Sequence, residues 1–175
     1  MSVATALYSL TFVFKFVLTW IGSSRQVDMV IRPEEIAALD VRSLPVYTVL
    51  VPMYREAKVL PLLVDALRRL DYPSSRLEVK LVLEEDDTET IEAAKALKLP
   101  GSFEIVRVPA SQPKTKPKAC NYALQFCRGE YITIYDAEDQ PEPDQLKKAV
   151  LAFRHAPAEL ACVQARLNYF NRSEN

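Results

Sequence analysis

Five acids, Asp136, Glu138, Asp139, Glu142 and Asp144, follow directly on the run Tyr131-Ile132-Thr133-Ile134-Tyr135. The run is β-branched and aromatic, which suits a buried strand. Pro141 and Pro143 keep the acidic stretch out of helix until Asp144. In open α/β sheets, ligands bind at the carboxyl ends of the parallel strands. Alternate carboxylates placed there can hold a hard divalent cation, and the cation can in turn hold a diphosphate. The competing reading is a solvated acidic turn, a common surface feature.

Two further polar groups sit where strands end. Glu84-Glu85-Asp86-Asp87 closes the run Leu77 to Leu83, and SQPKTKPK, Ser111 to Lys118, is basic and proline-rich. If the strands lie parallel in one sheet, their carboxyl ends share an edge and the three groups converge. Acids for a metal, lysines for a diphosphate and a further acid for a nucleoside then make one coherent site. The plainer alternatives are a solvated basic loop at Lys114, Lys116 and Lys118, and acids at Glu84 to Asp87 that complement the positive end of the next helix. Only three glycines are present, Gly22, Gly101 and Gly129. Neither a GxGxxG fingerprint nor a Walker A loop can be built from them. Side chains and a metal must therefore neutralise any bound phosphate.

The elements that would position these groups alternate regularly. Val46 to Val51 is a continuous apolar run, typical of a parallel strand covered on both faces. Pro52 to Glu56 turns into a helix reaching about Leu70, with Val59, Leu63, Leu67 and Leu70 on one face. The spacing then predicts a strand over Leu77–Leu83, a helix over Thr88–Leu97, a strand over Phe103–Val108, a helix over Lys118–Cys127, the strand Tyr131–Tyr135 and a helix over Asp144–His155. In that last helix Leu146, Ala149, Val150 and Phe153 face inward. Leu160 to Gln164 is expected to add a fifth strand. Such alternation argues for an α/β open, mostly parallel sheet with right-handed crossovers.

Ahead of the sheet, Val3 to Gly22 is apolar with Lys15 as its only charge. A helix of that length spans about 30 Å, enough for one membrane crossing over residues 1–24, the alternative being a peripheral amphipathic helix. No basic region precedes it and no AxA-like site follows it, which argues against a cleaved leader. Arg25 and Arg32 follow, a positive-inside signal that places the rest in the cytoplasm. Residues 25–44 are expected to form a linker with a short helix from Pro33 to about Leu39.

The chain has 175 residues, 49% hydrophobic and 26% charged, with a net charge of -1. This is a globular composition, and it gives no case for a nucleic-acid partner. Cys120, Cys127 and Cys162 show no metal spacing and are expected to be reduced core thiols. The lone histidine, His155, is expected to lie on the surface.

From Val46 to about Gln164 the sequence resembles the family 2 glycosyltransferases of the membrane-bound, cellulose-synthase-like kind. VYTVLVPMYREAKVL resembles the family's first strand and the turn against the nucleotide, which implicates Pro52, Tyr54 and Glu56. The acids Glu84, Glu85 and Asp87, with Asp86, correspond to the family's pair that touches the nucleoside, in a register left open. TKPKACNYAL resembles the K-x-x-x-x-N-x-A-L motif, giving Lys116 as the diphosphate lysine, Lys118 as the second choice, and Asn121. YDAEDQPEPD resembles the DxD segment, with Asp136 first and Glu138 or Asp139 completing a Mg2+ or Mn2+ site. CVQARLNYF resembles the next strand, where Gln164 leads toward the acceptor.

The resemblance implies a GT-A, Rossmann-like fold over residues 45–175 and an inverting transfer from a nucleotide-sugar donor, a UDP-sugar, to a glycan or lipid acceptor at the cell membrane. It also implies that the general base and a Q-x-x-R-W motif lie beyond Asn175, so the chain as given is expected to bind donor without extending a glycan. Two other readings compete. One is a non-catalytic membrane-anchored module that binds nucleotide sugars; the other is a metal-dependent nucleotidyltransferase. Release of nucleoside diphosphate rather than pyrophosphate separates the two chemistries.

Overall fold

The computed structural model describes residues 2–23 and 28–165. Arg25, and the 166–175 segment with its part of the CVQARLNYF stretch, lie outside the described residues. The chain divides into two compact units, Met1–Val30 and Ile31–Asn175. The first contains α1 (Val3–Ser23), a helix long and apolar enough to cross a membrane, with no buried residue.

In the second unit, α2 (Pro33–Ala37) and a 3-10 turn at Val41–Ser43 lead into β1 (Tyr47–Met53). Then come α3 (Leu60–Arg68), β2 (Leu77–Glu84), α4 (Thr88–Ala96), β3 (Phe103–Val108), α5 (Lys116–Ala123), β4 (Tyr131–Ile134) and α6 (Gln145–His155). The strands form one sheet in the order β3-β2-β1-β4, and every pairing is parallel. The expected open α/β sheet is therefore observed.

The two faces of the sheet are covered unequally. Val49, Val51, Val79, Leu81 and Leu83 pack into the larger core with Leu63, Leu67, Ile91, Leu146 and Val150 from α3, α4 and α6. On the other face Leu50, Val82, Val106 and Val108 meet Ala119, Cys120 and Ala123 of α5. Beyond α5 that face is open, and Ile132 and Ile134 stay exposed. The crossovers through α3 and α4 run one way from β1. The crossover through α5 runs back past β1 to β4. The order thus reverses between β1 and β4, which is the switch point of the sheet.

Four expectations need correction. The helix after the basic loop is Lys116–Ala123, followed by a 3-10 turn at Leu124–Phe126, rather than Lys118–Cys127. Pro117 sits in its first turn, where its missing N–H is no loss. Val59 precedes α3 and is 38% exposed, while Leu60 is fully buried in its place. No fifth strand forms among the described residues: 160–165 is unpaired, and both Cys162 and Gln164 are exposed. Its apolar composition carried no information about a pairing partner. Cys162 is accordingly not a core thiol, although Cys120 is buried. His155 does lie exposed, with Glu35 Oε2 3.6 Å from its Nε2.

At the amino-terminal edge of the sheet a buried polar network replaces apolar packing. Glu78 is 4% exposed. Its carboxylate accepts from the Thr48 hydroxyl at 2.7 Å, from Arg128 N and Nε each at 3.0 Å, and lies 3.1 Å from Lys80 Nζ. Lys80 also donates to Glu104 at 2.5 Å. Gly129 N donates to Thr48 Oγ1, and a Cβ on Gly129 would stand 2.5 Å from that oxygen. Burial pushes the Glu78 carboxyl up, but the bonds from Arg128, Thr48 and Lys80 outweigh it and lower the group to about 2. A lowered carboxyl stabilises the fold above its unfolded pKa, and that stability is lost as pH falls. Urea stability should therefore drop between the ordinary value of 4.5 and about 2. Glu78→Gln should flatten that part of the profile and cost a few kcal/mol at neutral pH, because Lys80 loses a buried partner. An unchanged acid slope in the variant would show that the network carries no such linkage.

Candidate functional site

Every group singled out at the strand ends sits along the carboxyl edge of the sheet, apart from Gln164. The β1 strand runs into Tyr54, Arg55 and Glu56, and β4 runs into Asp136 to Asp139. These two loops flank the switch point. A cleft of about 430 Å³ opens beside them, lined by Arg55, Glu56, Lys58, Glu89 and Glu138 among others.

The turn after β1 is held from α4. Arg55 has a φ of 60°, in the left-handed region that costs a side-chain-bearing residue energy. Its N–H donates to Asp87 Oδ2 at 2.5 Å, and the next N–H, of Glu56, donates to Thr90 Oγ1 at 3.2 Å. Asp87 Oδ1 meanwhile accepts from Thr90 N at 3.2 Å, capping α4. Asp87 is 5% exposed with both oxygens on main-chain donors of its own chain. The turn and the helix cap thus share one carboxylate.

The basic stretch faces the acids one to one. Lys114 Nζ pairs with Asp86, stands 3.3 Å from the Tyr54 hydroxyl and lies 4.9 Å from the Tyr54 ring centre. Arg55 lies against the same ring at 5.1 Å. Lys116 Nζ pairs with Asp136, joining the start of α5 to the loop after β4. Lys118 Nζ lies 3.3 Å from Glu84, which is 5% exposed, and donates to Ser111 O at 3.2 Å. Its bond from Lys114 holds the Asp86 carboxyl below the usual range. Burial, and then the charge of Glu138, push the Glu56 carboxyl up. Pro52 is half-buried on β1, while Glu85 and Asn121 are exposed.

Four of the five acids after β4 have partners within the chain, Asp136 through its exposed pair with Lys116. Glu142 and Asp144 lie 2.6 and 2.8 Å from Lys148 Nζ, at the first turn of α6. Asp139 Oδ2 accepts from Asp136 N at 2.7 Å. Asp136 and Glu138 point outward and are exposed. Among the described residues no group of three or more His, Cys, Asp or Glu side chains converges into a metal site. Two outward carboxylates still fit a cation of the Mg2+ type, which is commonly bound by one or two carboxylates plus the phosphates of its substrate.

The sequence singled out Asp87 and Asp139 as acids but could not show that each faces a main-chain N–H. The Asp-x-x-Thr spacing of Asp87 and Thr90, a helix-cap pattern, is the one local signal of that role.

Residues 48–175 match the profile described as glycosyl transferase family 2. The chain is 31% identical over 140 residues to glucomannan 4-beta-mannosyltransferase 2 of Arabidopsis thaliana, covering 74% of this chain and 26% of that protein. It spans about a quarter of the length of the curated relatives it matches. Among solved structures it is similar to the mannosyltransferase PcManGT from Pyrobaculum calidifontis in complex with GDP-Man and Mn2+. There the TM-score is 0.63 and the identity 26%, over 86% of this chain and 43% of that one. The S. aureus protein TarS in complex with UDP-GlcNAc shares the fold, with a TM-score of 0.51 and 24% identity over 62% of this chain and 31% of that one.

The shared role of Asp87 can be tested directly. Asp87→Ala removes a helix cap and strands a buried N–H, so it should cost roughly 2–3 kcal/mol in urea denaturation. Asp87→Asn should also destabilise, since an amide NH2 would face one of the two donors. Equal urea midpoints for Asp87→Asn and the unaltered chain would show that only one oxygen is needed.

Proposed function

The chain belongs to glycosyl transferase family 2, and on that premise we propose that it is the donor-binding part of a membrane-anchored, inverting glycosyltransferase. Residues 45–175 bind a nucleoside diphosphate sugar, 25–44 form the linker and 1–24 cross the membrane, with the sheet in the cytoplasm. The observation that carries this reading is the pairing of Lys116 with Asp136 beside the switch point. It sets a cation and a carboxylate against each other where parallel sheets take ligands. The fold neighbour with GDP-Man and Mn2+ supports a nucleotide-sugar donor and a divalent metal. The same neighbour's complex brings GDP-mannose alongside the UDP-sugar expected from sequence.

In this reading Tyr54 offers its ring to the nucleobase, with Pro52 and Glu56 beside it. Glu84, Glu85 and Asp86 line the nucleoside side, and Asp87 acts through the Arg55 turn. Lys116 turns from Asp136 to the diphosphate, Lys118 stands behind it, and Asn121 lies further along α5. The positive amino end of α5 adds to the lysines, because its first turn has N–H groups without helical partners. Asp136 and Glu138, the two outward acids, would hold Mg2+ or Mn2+. When bound, the ion offsets the charge of the departing nucleoside diphosphate. The acceptor is a glycan or lipid hydroxyl that attacks the anomeric carbon from the side opposite the nucleoside diphosphate, whose bond to that carbon breaks as a carboxylate base takes the hydroxyl proton.

Calorimetry on the detergent-solubilised chain, with a UDP-sugar and with GDP-mannose, tests the metal. One donor should bind with Mn2+ or Mg2+ and lose measurable affinity on chelation or in Asp136→Asn. Equal affinity after chelation would remove the metal from the site. The same assay ranks the lysines. Lys116→Ala should weaken donor binding by about tenfold or more, as expected for a lost charge-assisted contact. Lys114→Ala, which frees Asp86 and Tyr54, should weaken it less. A larger loss at Lys114 or Lys118 would move the diphosphate contact to that residue.

A further inference from the structure

The backbone that carries the two outward acids is hydrogen-bonded to a third, Asp139. Asp139 N donates to Asp136 O at 3.0 Å, and Asp139 Oδ2 accepts from Asp136 N at 2.7 Å. The two bonds run in opposite senses between the same residues, so the turn after β4 is closed twice. Asp136 N would otherwise be an unpaired donor at the point where the strand ends. Within this turn Ala137 is buried at 6% exposure and Asp139 is half-buried, while Asp136 and Glu138 between them project outward. Neither other nearby acid can replace Asp139 here, since Glu142 and Asp144 are engaged by Lys148.

We propose that Asp139 is the positioning residue of the site: it acts through Asp136, fixing the backbone that aims Asp136 and Glu138, and does not itself touch the ligand. The inference rests on the metal role proposed for Asp136, and it assigns the third acid of the run a task that ligand counting overlooks. The Asp139 oxygen that accepts the Asp136 N–H is committed to the turn. The spacing of two ligating carboxylates depends on the backbone between them, and loss of a supporting partner behind a ligand typically weakens metal binding by about 10- to 100-fold.

The test uses the full chain in detergent and Mn2+ as probe, with UDP and, separately, GDP present. Free Mn2+ is followed by electron paramagnetic resonance. Asp139→Asn keeps an oxygen that can accept the Asp136 N–H, so its Mn2+ affinity should stay within about threefold. Asp139→Ala should weaken binding by about tenfold or more, and Glu138→Gln should do the same. In the metal-free chain labelled with 15N-aspartate, the Asp136 amide proton should move upfield and exchange faster in Asp139→Ala but not in Asp139→Asn. Thermal midpoints identify a variant that has simply unfolded, and Asp139→Asn then carries the test.

An Asp139→Asn chain that binds Mn2+ as poorly as Glu138→Gln would make Asp139 a ligand and overturn the proposal. Unaltered binding in Asp139→Ala, or an unmoved Asp136 amide, would overturn it as well. Mn2+ binding that survives Asp136→Asn would instead overturn the premise. It is read on a different variant, so the two failures stay distinct.

Discussion

The structure depends on β1 being hydrogen-bonded on both sides by parallel strands. Tyr47 to Met53 pairs with β2 along its whole length and with β4 over Tyr47 to Leu50. A strand so placed must be apolar on both faces, and VYTVLV is. Parallel neighbours also require long crossovers, which bring α3 and α4 onto one face and α5 onto the other. The carboxyl end of β1 is therefore where the crossover direction reverses, and it is flanked by two loops that belong to no ladder. Those loops contain Tyr54 to Glu56 and Asp136 to Asp139. The site follows from the topology before any side chain is considered.

The chemistry placed there follows from what the chain lacks. Of its three glycines, Gly129 is committed to a close approach to Thr48, and neither of the others lies in a strand-end loop of the site. No glycine-rich loop can wrap a phosphate with main-chain N–H groups, so charged side chains must do the work. The prolines of SQPKTKPK serve the same end. Pro117 lies in the first turn of α5, so the helix begins at Lys116 and carries Lys116 and Lys118 on a rigid element rather than on a loose loop.

What could be read in the sequence, and what could not, divides along the range of the interactions concerned. The four strands were legible because β1 is a nearly continuous apolar run and the other three are rich in β-branched and large apolar residues. The false fifth strand, LACVQ, is also mostly apolar but has no pairing partner among the described residues, and composition cannot report pairing. The start of α5 was misread because the two prolines of SQPKTKPK look like loop, whereas a proline in a first turn breaks nothing. The convergence of Glu84 to Asp87, Lys114 to Lys118 and Asp136 to Asp139 was legible from order alone, since a parallel sheet sends all its strand ends to one edge. The division of labour among those acids was not. Asp87 and Glu85, or Asp139 and Glu138, differ only in which main-chain N–H lies opposite, and that is known only once Arg55 and Asp136 have been placed.

The two ends of the sheet show how the same residue types take opposite roles. At the amino end Glu78 and Lys80 have side chains 5% and 3% exposed, with Thr48, Arg128 and Glu104 completing their hydrogen bonds. Burial makes such a network costly to open, because any removed partner leaves a charge without water. At the carboxyl end Lys116 and Asp136 are 45% and 50% exposed. Water and salt screen such a pair, so its separation costs little. A carboxylate and a lysine that part easily are each free to take a stronger partner, which in the proposed function is a divalent cation for the one and a phosphate for the other. Asp139, the acid proposed to hold the turn, is half-buried and bonded to the main chain. Exposure thus separates the charges that hold the fold from those free to exchange partners, and it does so within a single run of four residues, Asp136 to Asp139.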